Sequence, residues 1–135
     1  MATRNFPQSP MSNVLKAVTL NVAIIGAGSG NAPTLSTGDP KASFFSAPVR
    51  TGAGVFTLTT IDAYPGICGL NLEYCVASPN TASVCVVAPS PVQNANNTWT
   101  FTINAYTANT LTDPVVGSTL FFTAVMQNTG DPYAG

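Results

Sequence analysis

The chain has 135 residues, of which four are basic, five are acidic and none is histidine. Charged side chains make up 7% of the sequence, against about 25% in ordinary soluble domains, while apolar residues reach 45%. This balance argues against a disordered chain, excludes catalysis by histidine, and offers no basic footprint for nucleic acid. One domain with a single core is the simplest organisation for this length.

The first segment, residues 1–13, is predicted to be an extended arm without a core of its own. It contains Pro7 and Pro10 among polar residues and lacks the apolar stretch of a signal peptide. An extended arm can add a strand to a neighbour or lie along its groove. Phe6, flanked by Arg4 and Pro7, is the candidate anchor, so these three residues are the predicted partner contacts.

The next segment begins with an apolar run, residues 14–27, that is too short and too polar to span a bilayer. Residues 18–24 alternate apolar with small polar side chains, which predicts a first strand. Gly26, Gly28 and Gly30 follow, in a pattern similar to a dinucleotide-binding loop. However, the spacing is G-x-G-x-G and prolines stand where that loop requires a helix. We therefore interpret the glycines as a turn and expect no cofactor.

The remaining strands are predicted from alternation bounded by glycine, proline and asparagine turns. They cover residues 44–50, 55–61, 70–76, 83–88, 99–105 and 119–127, with a hairpin turn at 51–54 and loops at 89–97 and 109–117. No run has helical periodicity with caps. These features predict an all-β fold: an antiparallel two-sheet sandwich or jelly roll of about seven to eight strands. The sandwich would span 14–128, with an irregular tail at 129–135.

Aromatic residues cluster in the last two long strands. Trp99, Phe101, Phe121 and Phe122 are predicted to lie in the core, and the apolar density of residues 120–126 suggests a final strand buried on both faces.

The three cysteines, Cys68, Cys75 and Cys85, lack the spacing of a metal site. We expect free, buried thiols in a protein made in a reducing cytosol. If any pair is bridged, Cys75 and Cys85 on neighbouring strands are the favoured one.

The acidic residues provide no recognisable catalytic or metal-binding pattern. Asp39, Asp62, Glu73, Asp113 and Asp131 are scattered, and four of the five lie in predicted turns, where aspartate usually supports backbone geometry. Neither a paired-carboxylate hydrolase nor a metal site is favoured, so the chain is predicted not to be an enzyme.

Four segments together resemble small virion proteins of tailed bacteriophages. These are Arg50-Thr-Gly-Ala-Gly-Val-Phe-Thr-Leu-Thr59, the turn Asp62-Ala-Tyr-Pro65, the strand Trp99-Thr-Phe-Thr-Ile103 and the closing Phe122-Thr-Ala-Val-Met-Gln-Asn128. The likeness covers roughly residues 43–128. It departs from the pattern at the Gly- and Pro-rich insert 26–40.

The resemblance implies a capsid decoration or cement protein without catalytic residues, located on the capsid surface after synthesis in the host cytoplasm. Its expected partners are the major capsid protein or other virion proteins and further copies of itself, as a dimer or trimer. Nucleic acid and membranes are not expected partners. Two alternatives remain open: a tail, head–tail connector or fibre component, and a carbohydrate-binding or adhesion module that uses exposed Thr, Asn and Tyr.

Overall fold

The computed structural model describes residues 16–36, 44–76, 83–88 and 91–129. Among these residues, no helix is long and apolar enough to cross a membrane. The strands, in chain order, are β1 (Lys16–Ile25), β2 (Thr34–Leu35), β3 (Val49–Gly52), β4 (Val55–Thr59), β5 (Gly66–Cys75), β6 (Ser83–Val87), β7 (Val92–Gln93), β8 (Trp99–Thr107), β9 (Thr110–Leu111) and β10 (Thr119–Thr129).

The strands form two antiparallel sheets. One has four strands in the order β2-β1-β10-β5, and the other has six, in the order β3-β4-β8-β6 with β7 and β9 also paired to β8. Every named pairing is antiparallel. The predicted all-β, two-sheet sandwich is therefore confirmed.

The core lies between the sheets and is built from alternate residues of the long strands, because successive side chains of a strand point to opposite faces. Its fully buried members include Leu20, Ile24, Phe56, Leu58, Phe101, Ile103, Leu120, Phe122 and Met126. Three aromatic rings join the two sheets. The ring of Phe101 on β8 lies 5.2 Å from that of Phe122 on β10, and Phe45 packs edge-on against both.

The predicted strand 44–50 is wrong in its first half. Only residues 49–52 form β3, and the preceding segment contributes a single bridge between Phe45 and Thr60. Pro48 lies between the two and has no N–H to donate to a ladder. β3 extends to Gly52 and β4 begins at Val55, so the hairpin turn is shorter than the predicted 51–54; the register shifts between Arg50 and Gly52.

Both predicted loops, 89–97 and 109–117, contain a short strand. β8 has nine residues whereas β4 and β6 have five each, so the ends of β8 extend beyond these neighbours. β7 and β9 pair with those ends and satisfy backbone groups that would otherwise lack partners.

The prediction that the final strand is buried on both faces is also wrong. Phe122 is fully buried but Phe121 is 48% exposed, and Val125 is only partly buried. β10 lies inside a sheet whose outer face is not covered by the described residues, so its side chains alternate between core and surface. Phe121 is therefore not a core residue, and Trp99 is only partly buried at the edge of the core.

Candidate interaction surface

Among the residues that the structure describes, the outer face of the six-stranded sheet carries no charge. Apart from Gly52, which pairs with Val55 and has no side chain, twelve residues form this face, which we call the valine–threonine face: Val49, Val55, Thr57, Thr59, Val84, Val86, Val92, Thr100, Thr102, Asn104, Tyr106 and Leu111. They are assigned to one face because cross-strand partners share a face and the residues between them on β4 and β8 are buried. The surface mixes apolar side chains with hydroxyl and amide groups.

This face is arranged in rows across the sheet. Val55 pairs with Asn104, which pairs in turn with Val86, and Tyr106 lies between Val84 and Leu111. Val84, the second residue of β6, is 51% exposed. Exposed apolar side chains gathered on one face of a sheet favour an interaction site over a freely solvated face.

Part of the polar content of the face is already engaged. The hydroxyls of Thr59 and Thr100 lie 3.0 Å apart, and the Asn94 amide nitrogen donates to the Thr100 oxygen at 3.0 Å. Internal pairing lowers the cost of removing these groups from water when a partner covers them.

The outer face of the four-stranded sheet is also nearly neutral. Asn21 accepts a hydrogen bond of 2.9 Å from the Thr123 hydroxyl across β1 and β10. Phe121 lies opposite Ala23 on one side and Glu73 on the other, and Glu73 is the one charged residue among those of β1, β10 and β5 on this face whose side chains the structure describes. Exposed apolar groups are fewer here than on the valine–threonine face.

The strongest polar cluster is built around Asp113, in the segment between β9 and β10. Its Oδ1 accepts hydrogen bonds from Arg50 Nε at 3.0 Å and from the Gly54 amide at 2.9 Å. Its Oδ2 accepts from Arg50 Nη2 at 3.0 Å and from the Gly30 amide at 2.8 Å. One carboxylate thus joins the loop after β1, the β3–β4 hairpin and the segment before β10.

The electrostatics of this cluster favour a structural role. The hydrogen bonds from Arg50, aided by the two backbone amides, lower the pKa of Asp113 to about 2, although burial opposes the shift. Each of the two carboxylate oxygens of Asp113 already accepts two hydrogen bonds. Neither oxygen is therefore left to activate a substrate, in agreement with the predicted role of turn aspartates in supporting the backbone.

The structure around this cluster explains why residue 54 is a glycine. Its φ is +69°, and a Cβ there would lie 2.5 Å from the Thr112 amide nitrogen. Residues other than glycine adopt this φ only rarely, and only a residue without a Cβ lets the backbone of Thr112 lie so close. The glycine run at 26–30 likewise forms a turn: the Gly26 and Gly28 amides donate to the carbonyls of Ser118 and Pro114.

The described carboxylates are not brought together. Asp62 lies in the bend after β4, whereas Asp113 is bonded to the opposite end of β4, and Glu73 points to the outer face of the other sheet. Within the described ranges, no group of three or more Cys, Asp or Glu side chains could hold a metal ion. Asp39 and Asp131 lie outside those ranges.

The prediction of free thiols is confirmed, but the prediction that all three are buried is wrong. Cys85 is buried, whereas Cys68 and Cys75 are exposed. Cys75 ends an edge strand and Cys68 lies at a register shift in the same strand, so both side chains reach the surface. Burial raises the pKa of Cys85 to about 12, which suppresses its thiolate.

The predicted partner contacts Arg4, Phe6 and Pro7 lie outside the described residues. Sequence reasoning did not identify the valine–threonine face as a site. Alternation along residues 99–105 indicated a threonine side to that strand, but only the strand order shows that Val84, Val86 and Val92 lie beside it. A face assembled from strands distant in sequence has no linear motif.

Comparison of the chain with models of protein families, with curated proteins and with solved structures found no match in any of the three.

Proposed function

We propose that this chain is a non-enzymatic structural protein of a bacteriophage virion, a decoration protein that binds the outside of the capsid through the valine–threonine face. The observation that carries the proposal is the absence of charge across a twelve-residue sheet face that exposes valines. A surface of this composition fits a neutral partner surface better than an ionic one. The low overall charge and the resemblance over residues 43–128 support the same role.

The number of exposed apolar side chains on the face limits the affinity with which a single copy can bind. The exposed large apolar side chains of the face are Val49, Val84, Val86, Val92 and Leu111. Burying a half-exposed side chain of this size is worth roughly 1 kcal/mol, so the set supplies about 5 kcal/mol. This corresponds to a Kd on the order of 0.1–1 mM before association costs. Stable occupancy therefore requires additional contacts or multivalent attachment.

The proposed mechanism is thermodynamic: preferential binding to the assembled shell shifts the equilibrium towards that shell. A protein that binds the assembled shell but not free coat subunits stabilises the shell by mass action, and the gain grows with the logarithm of its free concentration. The bound protein needs no chemical step. Its effect is a higher temperature or osmotic stress at which the particle opens.

The experiment starts from virions that contain this chain. The number of copies of this chain in each virion is measured first. The chain is then stripped from the particles, purified protein is added back, and the melting temperature of the particles is measured before and after rebinding. Hundreds of copies and a melting temperature restored by rebinding support the proposal. A few copies per particle would assign the chain to the tail or connector, and unchanged melting after stripping would contradict a cementing role.

A matched pair of double variants tests the face itself. Val84→Lys with Val86→Lys places two charges on the valine–threonine face, whereas Ala17→Lys with Thr19→Lys places them on the exposed outer face of β1. We expect the first pair to weaken binding to stripped particles at least tenfold, about 1.4 kcal/mol, and the second to leave it nearly unchanged. Equal binding by both variants would show that another surface makes the contact.

A further inference from the structure

We propose that the free edge of β5 pairs with the same edge of a second copy of this chain, which joins the two four-stranded sheets into one continuous eight-stranded sheet. The proposal concerns the isolated protein and does not rest on the virion role. It rests on three observations: an open strand edge, an incompletely covered core beside it, and a self-complementary register.

The first observation is the edge. β5 has ten residues and pairs with β10 on one side; among the described residues its other side has no ladder partner. β6 follows in the chain but belongs to the other sheet. Exposed edges are usually blocked by charged side chains, proline, bulges or short length. β5 has no lysine or proline; it carries Glu73, which faces outward, and a register shift at Cys68 that leaves residues 69–75 uninterrupted. The backbone groups along such an edge are recognised by another extended strand.

The second observation is the state of the core beside this edge. Leu70 faces inward opposite Ala124, yet Leu70 is 37% exposed while Ala124 is fully buried. Leu72 and Tyr74 are likewise only partly buried, although their partners on β10 are fully buried. On the opposite side of β10, three inward residues of β1 (Leu20, Val22 and Ile24) are buried and Val18 is partly buried. The inward side chains of β5 are therefore less buried than those of β10, and a strand added at this edge would bury them further.

The third observation is the register. A shift at Cys68 interrupts the β5 ladder and leaves residues 69–75 as a regular stretch. A two-fold axis at Leu72 pairs all seven of these residues antiparallel: Leu70 lies opposite Tyr74 of the second copy, and Asn71 lies opposite Glu73. Moving the axis to Glu73 would place two carboxylates face to face, and moving it to Asn71 would extend the pairing into the interrupted part of the strand.

Two substitutions at the exposed residue Asn71 test the interface, because one is expected to weaken the dimer and the other to strengthen it. Asn71→Asp faces Glu73 of the second copy and repels it twice per dimer, whereas Asn71→Lys forms two attractive pairs. Cross-strand charge pairs of this kind predict that Kd rises about fivefold for Asn71→Asp and falls about fivefold for Asn71→Lys. Sedimentation velocity over a concentration series measures both, and the gain from Asn71→Lys is expected to disappear at high salt.

Cross-linking tests the position of the axis. In a Cys68→Ser, Cys75→Ser background, Leu72→Cys places two thiols at paired positions, where the Cα separation of antiparallel strands permits a disulfide. Mild oxidation is expected to yield a covalent dimer, and Thr19→Cys in the same background is expected to yield none.

The proposal is overturned by any of three outcomes. The protein sediments as a monomer up to about 0.1 mM, a range that any dimer with a Kd below it would reveal. Alternatively, a dimer forms but both Asn71 variants leave Kd unchanged, so that it uses another surface. Finally, the Leu72 and Thr19 cysteine variants cross-link equally, which indicates random collision. A segment of the same chain that covers β5 would produce the first outcome.

Discussion

At the scale of single residues, the conformation of three separate loops depends on the carboxylate of Asp113. Its side chain is only 5% exposed and accepts four hydrogen bonds, two of them from backbone amides. Removing its charge leaves those donors facing an amide that cannot accept all four bonds. The cost therefore extends beyond the loss of a single ion pair.

We expect Asp113→Asn to lower the free energy of unfolding by about 2–4 kcal/mol, since buried donors lose their acceptor. Urea unfolding at neutral pH measures the loss. Asp62→Asn is the control, because Asp62 is exposed in a bend, and its effect is expected to stay within about 0.5 kcal/mol. Equal effects of the two substitutions would contradict the structural role of Asp113.

The same carboxylate predicts an acid-dependent stability. The pKa of Asp113 is about 2 in the folded chain, against an ordinary value of 3.8. A depressed folded pKa contributes stability that is fully present above about pH 4 and is lost as the pH falls towards 2. The urea midpoint of the native protein should therefore drop over that range more steeply than that of Asp113→Asn. Parallel pH profiles would show that other carboxylates carry the effect.

At the scale of elements, β10 shows how neighbouring strands determine the role of each side chain. Phe121 and Phe122 are adjacent and identical in type, yet one faces the surface and the other faces the core. Phe122 contacts the rings of Phe45 and Phe101 across the sandwich. Burial, rather than residue type, therefore decides what each phenylalanine contributes.

Alanine substitutions at these two positions form a matched test. Phe122→Ala opens a cavity between the sheets and is expected to cost about 3–5 kcal/mol. Phe121→Ala removes a half-exposed ring and is expected to cost no more than about 1 kcal/mol. Thermal or urea unfolding of both variants measures the difference, and similar losses would mean that the β10 register is wrong.

At the scale of the whole molecule, the low number of charged residues is reflected in the two outer faces of the sandwich. The valine–threonine face has no charged residue, and among the described side chains of β1, β10 and β5 on the other outer face only Glu73 is charged. Attraction to a partner through such a surface is not electrostatic. It depends on removing apolar groups from water, which salt affects little at moderate concentration.

We therefore expect the affinity for stripped particles to change less than threefold between about 0.05 and 0.5 M NaCl, a range over which ionic contacts are strongly screened. Pelleting of labelled protein with particles measures it. A tenfold loss over that range would indicate ionic contacts and would exclude the valine–threonine face as the main interface.

The amino-acid sequence by itself determined the fold class, because strands with one apolar face, in a sequence without helical periodicity, must bury that face against other strands. It also located the long strands to within a few residues and identified the glycine run as a turn. These features depend on near neighbours in the chain. Local periodicity is visible in sequence because the side chains of a strand alternate regularly.

Only the tertiary structure decided which strands lie side by side, and hence what each surface contains. The pairing of Arg50 with Asp113 spans 63 positions, and the row Val55, Asn104, Val86 draws on three separate strands. The exposure of Phe121 and the position of β5 at the end of its sheet, among the described strands, depend equally on strand order. Strand order is set by the burial of all apolar faces at once, so no local segment encodes it.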